Sequence, residues 1–161
     1  MDKVSKDWLI GFIEGEGNFH VSLSKSYRSK NYLFEYYPIL QFRIFLRSDD
    51  LEVLEKIKKT LEIGKIYNKN YSYSRIKGVN AQDQCCFYIT SSTELKIFEK
   101  FLKNAHFHSK KKNDMINFFK ILNLKISKKH LKIQGNQQIV NIALGMNSKN
   151  RSNFRVKRLT E

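Results

Sequence analysis

The stretch Trp8–Leu23, WLIGFIEGEGNFHVSL, decides the fold because its hydrophobic period changes within a few residues. Up to Glu16 the apolar residues recur at the spacing of an amphipathic helix, and Ser5 or Asp7 is a suitable N-cap. From Asn18 onward apolar and polar residues alternate, which is typical of a strand with one buried and one polar face. The stretch therefore predicts a helix that ends in Gly-Glu-Gly and leads directly into a β-strand.

The same two periods alternate along the rest of the chain and predict three further strands. The second strand carries Leu40, Phe42 and Ile44 on one face, shortly after Pro38; the third spans 65–71, and the fourth 84–89. A polar loop at 25–33 separates the first two strands, and a turn around Lys77-Gly78 separates the last two.

Helical spacing predicts the elements between and after the strands. One helix begins after Asp49 and Asp50 as caps and ends at Gly64; another begins after Ser92 or Thr93. Further helical stretches cover about 110–126 and 136–146. The order αββαββα plus extra C-terminal helices indicates an α+β fold, with a four-stranded antiparallel sheet and its helices on one face. We expect one domain over 1–148 and a basic tail over 149–161.

The charge of the chain points to a polyanionic partner. Thirty Lys and Arg against fifteen Asp and Glu give a net charge of +15, and nucleic acid is the leading candidate, although a ribosomal protein would show the same composition. No apolar run reaches the about 20 residues that cross a bilayer, and no signal peptide is recognisable. We expect an intracellular protein without a membrane partner. The adjacent Cys85 and Cys86 fit neither a disulfide framework nor a zinc site.

Helices cover only the apolar face of the predicted sheet, so the polar face should be open. Its side chains are donors, acceptors, cations and aromatics without a carboxylate, as expected for a surface that reads a DNA groove; a merely solvated face is the alternative. The predicted DNA-binding residues are His20, Ser22, Ser24, Tyr37, Gln41, Arg43, Lys65, Tyr67, Lys69, Gln84, Cys86 and Tyr88.

The glycines of the first helix suggest a contact with a second helix. Gly11 and Gly15 lie four residues apart and therefore on one helix face, where small residues allow close approach. If the neighbour is the same helix of a second copy, two Glu16 side chains meet, and hard divalent cations between them would relieve the repulsion. The alternative is that Glu14 and Glu16 are surface carboxylates beside C-cap glycines. The predicted dimer-interface residues are Leu9, Gly11, Phe12 and Gly15.

The nonapeptide LIGFIEGEG, residues 9–17, resembles the LAGLIDADG signature of homing endonucleases, with Glu at both acidic positions. The resemblance continues through FRIFL and DLEVL in 42–54, LEIGKI in 61–66 and KKNDM in 111–115. It also covers His130-Leu131, Gln138–Val140 and Met146-Asn147. This family implies the αββαββα fold with a saddle-shaped sheet, and a site-specific endonuclease that hydrolyses both strands of a long, partly palindromic DNA target.

The resemblance also implies roles for single residues. Glu16 would be catalytic and bind Mg²⁺ or Mn²⁺ together with the carbonyl of Gly15, whereas Glu14 would support the helix end. Lys111 would be the catalytic lysine that stabilises charge at the scissile phosphate, with Lys110 as the alternative. Leu46 departs from the polar residue that many relatives carry at this place, and Arg47 or Ser48 would substitute.

The single copy of the motif implies a homodimer, with a half-enzyme that pairs with a different subunit as the alternative. Two further functions remain open: an RNA-splicing maturase that binds its own intron RNA, and a non-catalytic DNA-binding regulator. The four histidines, His20, His106, His108 and His130, do not form a set of metal ligands. Richness in Lys, Asn, Ile and Tyr favours intron homing in an organelle (mitochondrion or chloroplast), with a bacterial or phage genome as the alternative.

Overall fold

The structure is a computed structural model that describes residues 2–25, 36–72, 76–78, 80 and 82–146. The predicted loop at 25–33, apart from Lys25, and the predicted tail at 149–161 lie outside these residues. None of the helices in the described ranges combines the length and the apolarity needed to span a bilayer.

The observed elements follow the predicted order. The strands are β1 (Asn18–Lys25), β2 (Tyr36–Arg47), β3 (Lys65–Lys69) and β4 (Gln84–Ile89). The helices are α1 (Lys6–Glu16), α2 (Leu51–Leu61), α3 (Ser92–Phe101), α4 (Lys111–Ile126) and α5 (Ile133–Met146), with short 3₁₀ turns at Ser48–Asp50 and Lys129–Leu131. The strands form one sheet in the order β1-β2-β4-β3, in which β4 pairs antiparallel with both of its neighbours. The predicted α+β fold class is confirmed.

Helix starts were predicted with mixed success. Ser5, one of the two predicted caps, is the N-cap of α1, and its hydroxyl accepts from the N–H of Trp8. Asp50 does occupy the N-cap position of α2, but its side chain makes no capping hydrogen bond, because a 3₁₀ turn precedes the helix. The N-cap of α3 is Ser91, so the prediction of Ser92 or Thr93 was wrong.

The end of α2 also differs from the prediction. The helix stops at Leu61, and Glu62 takes the left-handed conformation at φ 57° in the capping position. Gly64, which was predicted to end the helix, lies two residues after Glu62, where the backbone again takes a positive φ of 84°. A Cβ there would lie 2.5 Å from the ring of Phe87, so both conformation and space require glycine.

The chain divides into two compact units. Unit 1 comprises Met1–His20 and Gln41–Lys112, and unit 2 comprises Val21–Leu40 and Asn113–Glu161. In unit 1, α2 packs on β3 and β4. An aromatic cluster of Phe19, Phe42, Phe98 and Phe107 completes the core of this unit, with the Phe42 and Phe98 rings 4.5 Å apart. All four of these rings are buried.

Unit 2 has its own apolar interior. Its buried residues are Val21, Leu40, Phe118, Phe119, Ile121, Leu122, Ile139 and Ala143. Asn136 is the buried polar residue of this unit within the described ranges, and its side-chain amide donates to the carbonyl of His130 at 3.4 Å. The hydrogen bond satisfies a polar group that would otherwise destabilise the interior.

Candidate active site and nucleic-acid interface

Helix α1 ends at Glu16, and Gly17 is its C-cap residue. The N–H of Gly17 donates to the carbonyl of Ile13 at 2.9 Å. A Cβ at position 17 would lie 2.6 Å from that same carbonyl oxygen and 2.9 Å from the ring of Phe42, so only glycine fits. Glu16 itself is exposed. The Gly-Glu-Gly sequence thus stops the helix against the core and leaves the terminal carboxylate in solvent.

Lys111, the first residue of α4, reaches back to this helix end. Its ammonium Nζ donates to the carbonyl of Gly15 at 2.9 Å and lies 3.4 Å from the carbonyl of Ile13. Carbonyls in the last turn of a helix carry the negative end of the helix dipole, so a cation is stabilising there. The structure therefore places Lys111 against Gly15, the residue directly before Glu16, and all three were expected from the resemblance to belong to the site. Lys110 is exposed.

Glu14 takes part in a different set of contacts. Its Oε1 accepts from the backbone N–H groups of His108 and Ser109, at 2.6 and 2.5 Å. The hydrogen bond from the Ser109 backbone is the largest influence that lowers the pKa of the Glu14 carboxyl below its usual range. The carboxylate of Glu14 is thus bound to the turn before α4. The side chains of His106 and His108 are exposed.

The oxygen ligands at the end of α1 fit part of a hard-cation site. Mg²⁺ prefers carboxylate and carbonyl oxygens in near-octahedral geometry, and Glu16 and Gly15 each offer one such group. Within the described residues no group of three or more His, Cys, Asp or Glu side chains could hold a metal ion. The described residues of one copy therefore supply only part of a coordination sphere at α1, and the remaining ligands would have to come from elsewhere.

The polar face of the sheet in unit 1 is organised in three rows across β2, β4 and β3. Residues paired directly across antiparallel strands point to the same face. The rows are Arg43–Tyr88–Lys65, Phe45–Cys86–Tyr67 and Arg47–Gln84–Lys69. No carboxylate occurs in any of them, as predicted. A concavity of about 880 Å³ lies over this face and extends from Gln41 to Glu94.

Arg43 is partly shielded from solvent on this face. Its guanidinium lies 5.5 Å from the ring of Phe45, and its Nε is shielded from solvent without a hydrogen-bond partner. Burial lowers the pKa of Arg43, and burial followed by the charge of Arg43 lowers the pKa of His20. A buried donor without a partner is unfavourable, so this region of the sheet is suited to receive an acceptor from a ligand.

Some predicted site residues lie elsewhere than expected. Cys86 is 2% exposed and forms the floor of the concavity, so it offers no side-chain surface for direct contact with DNA. Leu9 is 0% exposed within the chain itself and therefore leaves no surface for a dimer partner. Gly11 and Gly15 meet the prediction of an open face, since an added Cβ would have no neighbour within 4 Å. Phe12 is half-buried and stacks on the exposed Trp8, with 4.8 Å between ring centroids.

The predicted residues of unit 2 form a separate group. Ser22, Ser24 and Tyr37 are half-buried. The ring of Tyr37 lies 4.9 Å from the ammonium of Lys125, which donates to the carbonyl of Pro38 at 3.1 Å. The ring of Tyr37 thus already has a cationic partner, Lys125, within unit 2.

Sequence reasoning missed three residues of these surfaces. Phe45 and Arg47 belong to the polar face, and strict alternation from Arg43 would have placed both of them there. Trp8 lies on the open face of α1, three residues before Gly11. Leu46 points to the opposite side of β2 from Arg47, whose guanidinium is paired with Asp49 at 2.8 Å. Arg47 therefore does not substitute for a polar side chain at Leu46.

Comparison with known proteins identifies the class. The sequence model described as LAGLIDADG endonuclease matches residues 9–122, most of the chain. This chain therefore belongs to the LAGLIDADG endonuclease family, and the resemblance drawn from residues 9–17 is confirmed.

Individual relatives share the fold at modest identity. A probable intron-encoded endonuclease 3 of Neurospora crassa is 29% identical over 128 residues, which cover 80% of this chain but only 22% of that protein. The crystal structure of a homing endonuclease, I-TnaI, superposes with a TM-score of 0.77 at 28% identity, covering 95% of this chain and 94% of that one. The crystal structure of the I-LtrWI LAGLIDADG homing endonuclease bound to target DNA superposes with a TM-score of 0.77 at 27% identity, covering 92% of this chain and 46% of that one. The chain thus spans about a fifth of its curated relative and about half of I-LtrWI.

Proposed function

We propose that this chain acts as a site-specific endonuclease that cuts both strands of double-stranded DNA with the help of a divalent cation, Mg²⁺ or Mn²⁺. The observation that carries the proposal is the hydrogen bond, at 2.9 Å, from the ammonium of Lys111 to the carbonyl of Gly15, the residue directly before the exposed Glu16. The family membership gives this arrangement its context. I-SmaMI, a similar structure at 27% identity, was crystallised on an uncleaved DNA target with calcium ions, which supports a hard-cation site.

Each residue of the site has a defined task in this proposal. Glu16 and the Gly15 carbonyl would hold the cation, which when bound activates water and stabilises the leaving oxygen. Lys111 places a positive charge beside the same helix end, where the charge that develops on a phosphate needs compensation. Because its ammonium is tied to two helix carbonyls, Lys111 is held in position before DNA arrives.

The sheet supplies the binding surface. Arg43, Lys65 and Lys69 bring positive charge to a face that has no acid in its three rows, and such a surface matches the phosphates and base edges of a groove. Gln84 and Tyr88 add hydrogen-bonding groups between the cations. DNA affinity should therefore fall steeply with salt, as counterions released from the duplex are restored.

A second copy of the chain would complete the site. The face of α1 that carries Trp8, Gly11, Phe12 and Gly15 is open and lacks side-chain bulk at its centre. Two such faces around a two-fold axis would bring two Glu16 carboxylates together. This arrangement would also supply the ligands that the described part of one copy lacks.

The test separates binding from cutting. Duplexes enriched from a randomised library by the purified protein in Ca²⁺ serve as substrate, and cleavage is then started with Mg²⁺. We expect Glu16→Gln to abolish cleavage while changing DNA affinity by less than about tenfold, since exposed rim charges contribute little to affinity. Glu52→Gln, which removes an exposed carboxylate paired with Lys56, is the matched control and should cut normally. Cleavage by Glu16→Gln at the wild-type rate would refute the proposed role.

A further inference from the structure

The two glutamates of the motif leave α1 in different directions. Residues two apart on an α-helix are separated by about 200° around the axis, so Glu14 and Glu16 lie on nearly opposite sides. Glu16 is exposed at the helix end, whereas Glu14 accepts two backbone hydrogen bonds from His108 and Ser109. The two carboxylates therefore have separate environments in spite of their similar sequence positions.

The turn that Glu14 binds is also the start of the helix that carries Lys111. The hydroxyl of Ser109 accepts from the N–H of Lys111 at 3.3 Å, and the carbonyl of Ser109 accepts from the N–H of Lys112 at 3.2 Å. Ser109 thus forms the first turn of α4, and its own N–H is held by Glu14. Any shift of Ser109 would move the backbone of Lys111 with it.

The side chain of Lys111 in turn contacts the end of α1, the helix that carries Glu14. Its ammonium binds the carbonyls of Ile13 and Gly15, the residues on either side of Glu14. The end of α1 and the start of α4 are therefore held by two opposite contacts, a carboxylate on amide N–H groups and an ammonium on carbonyls. Glu14 supplies an acceptor to two backbone N–H groups of the turn, and Lys111 supplies a donor to the carbonyl of Gly15 at the helix end.

We propose that Glu14 is a positioning residue that sets the place of Lys111 by anchoring the His108–Ser109 turn, and that it is not a metal ligand. The inference rests on the proposed function, because it assigns the consequence for cleavage to Lys111. A metal ion bound at Oε1 of Glu14 would displace two backbone donors, which would leave their N–H groups without this acceptor.

The first experiment needs neither DNA nor metal. Amide hydrogen exchange of His108 and Ser109 is measured by NMR in the wild type, Glu14→Met and Glu14→Gln. We expect Glu14→Met to lose protection at both amides, and Glu14→Gln to keep part of it because its side-chain carbonyl still accepts. Glu62→Gln, an exposed carboxylate paired with Lys3, is the control and should leave both amides unchanged. Unchanged protection in both Glu14 variants would overturn the anchoring contact.

The second experiment asks whether Glu14 acts through Lys111. Single-turnover cleavage of saturating DNA is measured for Glu14→Met, Lys111→Met and the double variant. We expect Glu14→Met to slow cleavage by roughly 10- to 100-fold, the effect of an ångström-scale misplacement, without raising the Mg²⁺ concentration for half-maximal rate. The double variant should be no slower than Lys111→Met.

The outcomes separate the alternatives. Additive losses in the double variant would show that Glu14 acts independently of Lys111, and a raised Mg²⁺ requirement in Glu14→Met would indicate a metal ligand. Either result would overturn the proposal. If Glu14→Met does not fold, Glu14→Gln takes its place in the cleavage measurements, and the expected loss of cleavage rate is then smaller. Wild-type rates in Lys111→Met would refute the proposed function of Lys111 instead, and the exchange data would then still test the anchor on their own.

Discussion

Replacing Gly11 by alanine should change stability and self-association in opposite directions. Gly11 lies in the middle of α1, and a Cβ at this position would meet no atom within 4 Å in the isolated chain. Alanine is more favourable than glycine in a helix interior by about 1 kcal/mol. We therefore expect the isolated chain to gain about that amount, and its Tm to rise by about 2–4 °C for a chain of this size.

The added methyl group should weaken the proposed contact between the α1 helices of two copies. Close helix packing at a glycine leaves no room for a side chain, and overpacking by one methyl group destabilises by about 1–3 kcal/mol. On this basis the dimer dissociation constant should rise by about 5- to 150-fold. Because a two-fold axis repeats the substitution in both copies, the larger value is the more realistic expectation.

The assay measures both quantities on the same protein. Thermal unfolding followed by circular dichroism at submicromolar concentration gives the stability of the dissociated chain, and sedimentation velocity over a concentration series gives the association. Gly17→Ala is the matched control: its Cβ would lie 2.6 Å from the Ile13 carbonyl, so it should lower the Tm. A raised Tm with unchanged association in Gly11→Ala would refute the interface; a lowered Tm would refute the open face.

Three other perturbations test the core, the sheet face and the pH response. Phe98→Ala removes a fully buried ring that packs 4.5 Å from Phe42, and should lower the free energy of unfolding in urea by about 3–5 kcal/mol; a loss below about 1 kcal/mol would contradict this packing. Arg43→Gln should weaken DNA binding and change base preference at one position of each half-site in library selection, since one bidentate base contact is worth about 1–3 kcal/mol; a uniform loss of affinity would indicate phosphate contact alone. Burial and the charge of Arg43 lower the pKa of His20, so the folded state binds its proton less readily than the unfolded state. Stability should then fall as the pH drops below about 6.5, and His20→Gln should flatten this decline in urea titrations at several pH values; an identical decline in the variant would exclude His20 as its cause.

The elements with a clear hydrophobic period were predictable from the sequence. The change from helical to strand spacing at Gly17 placed α1 and β1 correctly, because both periods are set by backbone geometry and by one buried face. Ser5 was one of the two caps predicted for α1, and a capping side chain has a short-range partner, here the N–H of Trp8. Local patterns of this kind need no knowledge of the rest of the fold.

Contacts between distant parts of the chain could not be predicted in the same way. Three successive lysines, 110–112, are alike in sequence, and the side chain at 111 contacts the end of α1 only because a turn directs the start of α4 towards it. The contact from Glu14 to residues 108 and 109 spans more than ninety positions and leaves no periodic signal. Only the resemblance to a family pointed to Lys111 beforehand.

The errors have physical causes as well. Asp50 failed as a capping side chain because a 3₁₀ turn precedes α2, a local choice that the acidic pair does not reveal. Cys86 was placed correctly on the polar face by alternation, but the larger neighbours Phe45, Tyr67 and Tyr88 leave it 2% exposed. Side-chain size across neighbouring strands, and not alternation alone, decides which residues of a face reach a ligand.

The outer strand β3 has a consequence for the behaviour of the protein at high concentration. It is only five residues long, and lysines stand at both of its ends, Lys65 and Lys69. Unpaired strand edges recruit further strands into fibres unless charge or shortness prevents it. Like charges on this edge repel the same edge of another molecule, so the short, positively charged β3 should keep concentrated protein from aggregating along the sheet.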